Sequence, residues 1–192
     1  MTTLAAFLWP TASSSSKLMR DVLLALVGTL LLTISAKIQI PFWPVPMTMQ
    51  TYVVLVLGMA YGWRLAGATM LLYLAQGAFG LPVFAGTPEK GLGLAYMMGP
   101  TGGYLLGFVA AAVVMGWLAE RGFDRSFARA AFAMTIGHAI VFAFGFAWLA
   151  SLIGVNKAWI GGVAPFWSAT LFKTLLGLVS LPLAWKLLAK LK

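Results

Sequence analysis

The chain of 192 residues is 61% hydrophobic and only 9% charged, whereas soluble domains carry about 25% charged residues. A soluble fold of this length cannot bury so much apolar surface, so lipid must be the solvent for much of the protein. The formal net charge of +9 also occurs in nucleic-acid-binding proteins, but here long apolar runs separate the basic residues, which favours a membrane protein that binds no nucleic acid. The absence of cysteine excludes disulfides, thiolate metal sites and lipoprotein anchoring.

Six apolar segments have lengths near the ~20 residues that a helix needs to cross a bilayer core. They cover residues 21–40, 47–63, 64–80, 101–120, 130–153 and 164–188. We therefore predict an all-α, polytopic bundle of six transmembrane helices that forms one domain over residues 21–192. Residues 1–20 lack the basic start of a signal peptide and are expected to be a mobile cytoplasmic tail.

Basic residues are concentrated on one side of this predicted layout. Short cytoplasmic loops are enriched in Lys and Arg. If the amino terminus lies in the cytoplasm, nine of the 13 basic residues lie on the cytoplasmic side. These nine are Lys17, Arg20, Arg64, Arg121, Arg125, Arg129, Lys186, Lys190 and Lys192. The other four, on the outer side or in the outer half, are Lys37, Lys90, Lys157 and Lys173. We expect a multi-pass protein of the cell (inner) membrane with both termini in the cytoplasm.

Small residues recur at every fourth position of the first predicted helix. Ala25, Thr29 and Thr33 therefore share one helix face, and such faces allow helices to pack closely in lipid. This stripe is either an internal packing contact or a docking surface for another protein.

Two outer loops have an unusual composition. Residues 41–46 contain three prolines, which prevent a helix, and also Phe42 and Trp43. These two aromatic residues form either an interfacial belt or a hydrophobic lid over an outward-facing site. Residues 80–100 are apolar and rich in glycine, which argues against disorder, and loops of this length are usually functional. We expect this second loop to pack on or into the bundle.

The chemistry available inside the bundle is limited. The four acidic residues lie at segment ends or in loops, so no carboxylate inside the membrane can serve proton coupling. They are Asp21, Glu89, Glu120 and Asp124. One histidine and no cysteine exclude a clustered metal site, and no phosphate-binding Gly-x-x-x-x-Gly-Lys-Ser/Thr loop is present. Active transport would therefore draw its energy from a partner. His138 is either a packing residue or a member of a relay.

Lys173 lies about nine residues into the last predicted helix. A lysine near the middle of a membrane costs about 2.5–3.5 kcal/mol on the insertion scale and usually faces a cavity or a partner. No acidic residue inside the predicted bundle can pair with it. Its partner is either a carboxylate or carbonyl group of a ligand, or helix carbonyl groups of the protein itself.

Further polar side chains at the same outer level outline a pocket around this lysine. They are Lys37, Gln39, Thr48, Gln50, Trp148 and Asn156. A pocket with apolar walls, a few polar groups and one buried cation is typical of small-molecule sites. We expect a small, partly apolar ligand that carries an amide-like group and one negative charge.

Three long segments resemble the blocks of one known family. Residues 35–51 read SAKIQIPFWPVPMTMQT, residues 80–86 read GLPVFAG, and residues 99–108 read GPTGGYLLGF. In this order they resemble the BioY family, the substrate-binding (S) components of energy-coupling-factor biotin transporters. The resemblance extends over roughly residues 20–190.

The resemblance implies six helices with both termini in the cytoplasm, and capture of biotin near the outer surface under the first outer loop. It implies biotin as the transported ligand and no catalytic cofactor. It also implies a transmembrane coupling subunit that carries two cytoplasmic ATPase subunits. Docking onto that subunit would use small residues of the first helix, here Ala25, Thr29 and Thr33.

The resemblance also implies that Lys173 contacts the ligand. The family usually has an aspartate three residues before this lysine, whereas this chain has Thr170, which can hydrogen-bond but cannot pair electrostatically with the lysine. We expect Lys173 to contact a polar or charged end of biotin. By position and residue type, further candidates for hydrogen bonds are Gln50, Tyr104 and Asn156, and candidates for walls or lid are Phe42, Trp43 and Phe84.

Three other functions stay open on the sequence. An S component for another small vitamin or precursor would share the fold but not the pocket. A membrane-embedded enzyme would need an acid–base pair or a metal cluster inside the bundle, and the sequence contains neither. In a purely structural assembly protein, Lys173 would have no ligand.

Overall fold

The computed structural model describes residues 2–40 and 44–190, most of them helical. The helices are α1 (Leu4–Leu8), α2 (Ser14–Lys37), α3 (Gln50–Tyr61), α4 (Trp63–Ala78), α5 (Gly93–Met97), α6 (Gly102–Ala119), α7 (Phe127–Ile153), α8 (Val155–Gly162) and α9 (Trp167–Lys190). A short 3-10 turn, Ala164–Phe166, precedes α9. Strands β1 (Gln39–Ile40) and β2 (Met47–Thr48) form a small antiparallel pair with Gln39 opposite Thr48.

Each of the six predicted transmembrane segments coincides with a helix, namely α2, α3, α4, α6, α7 and α9. Within the described residues, four helical stretches are long and apolar enough to cross a membrane. They are Ser14–Lys37, Gly102–Ala119, Phe127–Ile153 and Val155–Lys190. Helices α3, with 12 residues, and α4, with 16, are shorter than the ~20 residues of a typical crossing. The prediction of a helical membrane protein is confirmed.

The amino-terminal segment is helical where we expected a mobile tail. Helix α2 begins at Ser14 and not at residue 21, because Ser13 and Ser16 form a capping box in which each side chain accepts a hydrogen bond from the other residue's backbone N–H. Leu4 and Ala5 of α1 are buried, and α1 packs against α3. Burial of these apolar side chains holds the segment on the bundle.

Helix α6 lies at the centre of the bundle, in contact with α3, α4 and α7. Glycines of α6 allow the neighbouring helices to lie unusually close to its backbone. A Cβ atom at Gly116 would overlap the backbone nitrogen of Trp63, and one at Gly103 would overlap the side chain of Trp148. Small residues are how helices approach closely in lipid, where van der Waals packing drives association. α6 therefore joins the α3–α4 pair on one side to α7 on the other.

Replacing Gly116 by alanine is expected to destabilise the protein by about 1–3 kcal/mol, the usual cost of overpacking, because the obstructing atoms of Gly62 and Trp63 belong to the backbone. Gly67→Ala is the matched control, since a Cβ there would meet only a methyl group of Val113, at 3.1 Å. Thermal unfolding in detergent measures both variants. Equal melting temperatures would contradict the close packing of α6.

A buried carboxyl group lies at the end of the bundle that carries most of the basic residues. Asp124, in the turn between α6 and α7, is 1% exposed and accepts a hydrogen bond from Trp185 Nε1 of α9. Its Oδ1 has no hydrogen-bond partner among the described residues. The guanidinium of Arg125 lies over the Trp185 ring, 4.3 Å from its centroid. Burial raises the pKa of Asp124, and the hydrogen bond from Trp185 offsets only part of this effect.

Because folding raises the pKa of Asp124, the native protein binds this proton more tightly than the unfolded chain does. The stability that Asp124 contributes is present at low pH and is lost as the pH rises from about 4, the ordinary aspartate value, through the raised pKa. Asp124→Asn keeps an acceptor for Trp185 and does not titrate. We expect its melting temperature in detergent, relative to the wild type, to increase over this pH range; a constant difference would contradict a raised pKa.

Candidate ligand-binding site

A cavity of about 570 Å³, its opening included, lies where the first turns of α3, α6 and α9 meet, with α7 along one side. Its apolar walls come from the helices and the 3-10 turn through Tyr104, Leu105, Phe108, Val141, Phe142 and Phe166, and from shorter segments through Val45, Pro46, Ala85 and Tyr96. Its polar groups belong to Thr48, Gln50, Thr51, Thr101, Thr170 and Lys173.

The cavity and most of the basic residues lie at opposite ends of the bundle. The cavity is built on the amino-terminal turns of α3, α6 and α9. The basic residues lie at the starts of α2, α4 and α7, in the turn after α6, and at the end of α9. Those within the described residues are Lys17, Arg20, Arg64, Arg121, Arg125, Arg129, Lys186 and Lys190.

Lys173 of α9 supplies the positive charge of the cavity. Its side chain is buried, at 5% exposure, and its ammonium donates a 2.7 Å hydrogen bond to Thr51 Oγ1 of α3. The ammonium has three N–H groups, and the described residues accept from one of them. None of the described residues that line the cavity is acidic. A buried charge needs a partner, so the cavity is suited to an anion or a strong hydrogen-bond acceptor.

Gln50 is held in one orientation by a chain of hydrogen bonds. Tyr73 donates its hydroxyl proton to the carbonyl oxygen of Val83 at 2.8 Å. The Tyr73 oxygen must therefore accept from the Gln50 amide nitrogen, 2.6 Å away. This assignment turns Gln50 Oε1 away from Tyr73, and Gln50 lines the cavity. The cavity thus offers an acceptor, Oε1, as well as the donor on Lys173.

Tyr104 and Thr170, two candidate site residues predicted from the sequence, also line the cavity. The Tyr104 hydroxyl donates to the carbonyl oxygen of Gly162 at 2.7 Å, so Tyr104 presents its ring to the cavity while its hydroxyl ties α6 to α8. Thr170 lies one turn before Lys173 on α9 and adds a polar side chain to the cavity lining.

Two of the remaining candidate site residues, Phe84 and Asn156, do not line the cavity. Phe84 is buried behind its wall, with its ring stacked on Tyr96 at 5.1 Å. Asn156 is exposed on α8, which begins directly after Gly154 ends α7. Phe42 and Trp43 lie outside the described residues.

The small-residue stripe of α2 faces the bundle and not the surface. Ala25 is 8% and Thr29 4% exposed, and Thr33 is half-buried. Gln76 of α4 donates to Thr29 Oγ1 at 3.4 Å. The exposed face of α2 carries large aliphatic residues instead, namely Val22, Leu23, Leu26, Val27, Leu30, Leu31 and Ile34. In this structure Ala25 and Thr29 take part in internal packing, and docking of a partner through the stripe stays a prediction.

Several wall residues were not among the sequence-based candidates. Thr51 directly follows Gln50, and its polarity at the start of an apolar helix was a usable indication. Nothing in the sequence indicated that Phe108 and Phe142 line the cavity, since aromatic residues occur in most of the apolar segments. Tyr96 of α5 donates to the carbonyl oxygen of Ala85 at 2.6 Å, and burial raises the pKa of its phenol, so it remains a neutral donor.

His138 lies outside the described walls of this cavity. Its ring is buried in α7, and Nδ1 lies 2.9 Å from the carbonyl oxygen of Met134 and 3.3 Å from Thr174 Oγ1. These contacts tie the ring to its own helix and to α9, and its buried Nε2 has no hydrogen-bond partner among the described residues. The described residues contain no group of three or more His, Cys, Asp or Glu that could hold a metal ion.

The fold and the cavity together define a class: a helical membrane protein that holds a small solute between its helix ends. A family model described as the BioY family matches residues 5–190. The chain belongs to the BioY family, and the resemblance found in its three sequence blocks is confirmed.

Relatives and a solved structure agree with this assignment. The chain is 42% identical over 153 residues to the biotin transporter BioY of Thermotoga maritima, and 35% identical over 147 residues to a probable biotin transporter BioY of Pyrococcus horikoshii. Each match covers 77% of this chain and 85% of the relative. A crystal structure of the S-component for biotin from an ECF-type ABC transporter has the same fold, with a TM-score of 0.76, 22% identity, and coverage of 91% of this chain and 95% of that chain.

Proposed function

We propose that this protein takes up biotin as the membrane-embedded S component of an energy-coupling-factor transporter. It is a transport protein and not an enzyme. The observation that carries the proposal is the buried ammonium of Lys173 in a cavity whose described walls contain no acidic residue. Membership of the BioY family and the biotin transporters among its relatives support it.

Biotin has the groups that this cavity can bind. Its fused rings are compact and largely apolar, and the aromatic walls formed by Tyr104, Phe108 and Phe142 suit them. Its ureido group has two N–H donors, for which Gln50 Oε1 is an acceptor, and a carbonyl oxygen. Its valerate chain ends in a carboxylate. Lys173 would bind either the carboxylate or the ureido oxygen, because both accept hydrogen bonds from an ammonium.

Purified protein in detergent is expected to bind labelled biotin saturably, and Lys173→Met to bind it at least about 30-fold more weakly, because removing one partner of a buried charged hydrogen bond costs about 2–5 kcal/mol. Lys157→Met is the control, since Lys157 is exposed on α8 and its loss changes the net charge equally. Thermal unfolding verifies that each variant is folded. Unchanged affinity in Lys173→Met would remove this lysine from the site.

Thr170 favours a second candidate, an S component for another small anionic vitamin or precursor. Thr170 lines the cavity, and by the sequence resemblance it stands where the family usually has an aspartate. We therefore expect the polar contacts of this pocket to differ from the family pattern. Folded wild-type protein that binds no biotin would favour this candidate, and competition by other small carboxylic acids would identify the ligand.

The membrane orientation follows from the charges. Most basic residues lie at the end opposite the cavity, and positive ends stay in the cytoplasm. We therefore assign six crossings by α2, α3, α4, α6, α7 and α9 over residues 21–192, both termini and residues 1–20 in the cytoplasm of the cell (inner) membrane, and a cavity that opens outward. The chain contains no nucleotide-binding loop, and the solved S-component with the same fold comes from an ECF-type ABC transporter. We therefore assign the energy supply to a transmembrane coupling subunit with two cytoplasmic ATPase subunits.

Single cysteines test this orientation in a chain that has none of its own. Leu94→Cys, at an exposed position of α5, is expected to react in intact cells with a thiol reagent that does not cross membranes. Ser15→Cys, exposed at the start of α2, is expected to react only after the cells are broken. The reverse pattern would invert the topology and place the cavity in the cytoplasm.

A further inference from the structure

Lys37, the last residue of α2, reaches a segment far along the chain. Its ammonium donates to the carbonyl oxygens of Phe84 at 2.9 Å and of Thr87 at 2.7 Å, and to Thr87 Oγ1 at 3.0 Å. An ammonium has three N–H donors, and these bonds use all of them. Lys37 thus connects α2 to residues 83–87, here called the wall segment, and has no donor left for an anionic ligand.

The wall segment is neither helix nor strand, and side chains from other elements bind its backbone. Tyr73 of α4 donates to the carbonyl oxygen of Val83 at 2.8 Å, and Tyr96 of α5 donates to that of Ala85 at 2.6 Å. Lys37 of α2 makes the third attachment, and among these three its donor alone is charged. Hydrogen bonds from charged donors are stronger than those from neutral donors.

The wall segment borders the ligand cavity. Ala85 lines the cavity, and so does Tyr96, whose ring stacks on Phe84 at a centroid distance of 5.1 Å. Phe84 also contacts the edge of the Tyr73 ring at 5.4 Å. A movement of the wall segment would therefore displace two residues that line the cavity, together with the aromatic ring that supports them.

We propose that Lys37 is a positioning residue of the ligand cavity: it fastens the wall segment to the end of α2, keeps this wall closed over bound ligand and slows ligand release. The ligand part of the proposal rests on the proposed function, whereas the fastening concerns the protein alone. Without the ammonium, the carbonyl oxygen of the buried residue Thr87 loses the donor that Lys37 supplies, whereas that of Phe84 keeps the Thr87 hydroxyl, 2.7 Å away. Because unsatisfied buried polar groups are unfavourable, the wall segment would move toward water and open the cavity.

Thiol labelling tests the fastening without any ligand. Ala85→Cys introduces a unique thiol into the wall, because the chain contains no cysteine, and Ala85 is only 6% exposed. We expect a small methanethiosulfonate reagent to modify this thiol at least about ten-fold faster when Lys37→Met is added, since reaction then follows the open population. Lys90→Met is the matched control, because Lys90 lies beside the same segment but its ammonium donates no hydrogen bond to it.

Biotin kinetics test the second half of the proposal. In the chain with its native Ala85, Lys37→Met is expected to release biotin about ten-fold faster with a smaller change in association rate, because opening the wall acts on dissociation. Lys37→Arg keeps the charge and several donors and should restore part of the slow release. Thermal unfolding in detergent establishes that each variant is folded.

The two measurements separate the failure of this proposal from failure of the proposed function. Equal labelling rates with and without Lys37 would overturn the fastening, whatever ligand the protein binds. Faster labelling with unchanged biotin release would overturn the positioning role. Absence of biotin binding in the wild type would count against the proposed function, and the labelling result would still decide whether Lys37 holds the wall.

Discussion

The close approach of α6 to its neighbours is the constraint on which the rest of the structure depends. In lipid, apolar side chains gain little by leaving the solvent, so helices associate through van der Waals contact and a few polar bonds. Gly103 and Gly116 remove the Cβ atoms that would otherwise separate α6 from Trp148 and Trp63. The approach brings the amino-terminal turns of α3 and α6 together with that of α9, and the cavity is the space left between those turns.

Two lysines near this cavity have opposite roles because their hydrogen-bond partners differ. Lys37 has its three donors bound to main-chain and hydroxyl oxygens of Phe84 and Thr87, which fixes a wall. Lys173 has one described acceptor, Thr51, and faces a cavity without a described acidic group. A charge that the protein leaves partly unpaired away from water is costly unless a ligand completes its bonds. This difference in hydrogen-bond partners is the basis on which we propose a structural role for Lys37 and a binding role for Lys173.

Much of the helical layout and part of the site could be predicted from the sequence. Long apolar runs predicted the helices, and rare polar residues inside them, Gln50 and Lys173 above all, were good candidates because polar groups in lipid are expensive. The exposed position of Asn156 and the buried ring of Phe84 were not predictable. The first depends on how α8 packs after the helix break at Gly154, and the second on the contact of the Phe84 ring with Tyr96.

The sequence by itself determined that this chain lies in a membrane, roughly where its six main helices run, and which end carries the positive charge, since each follows from local composition. Only the tertiary structure decided which helix faces point inward. Spacing by four places Ala25 and Thr29 on one face of α2 but does not say which, and the structure turns that face toward α4. The reason is physical: the interior of the bundle and the surrounding lipid are both apolar, so hydrophobicity does not distinguish the two sides, and the fit of side chains against neighbouring helices decides.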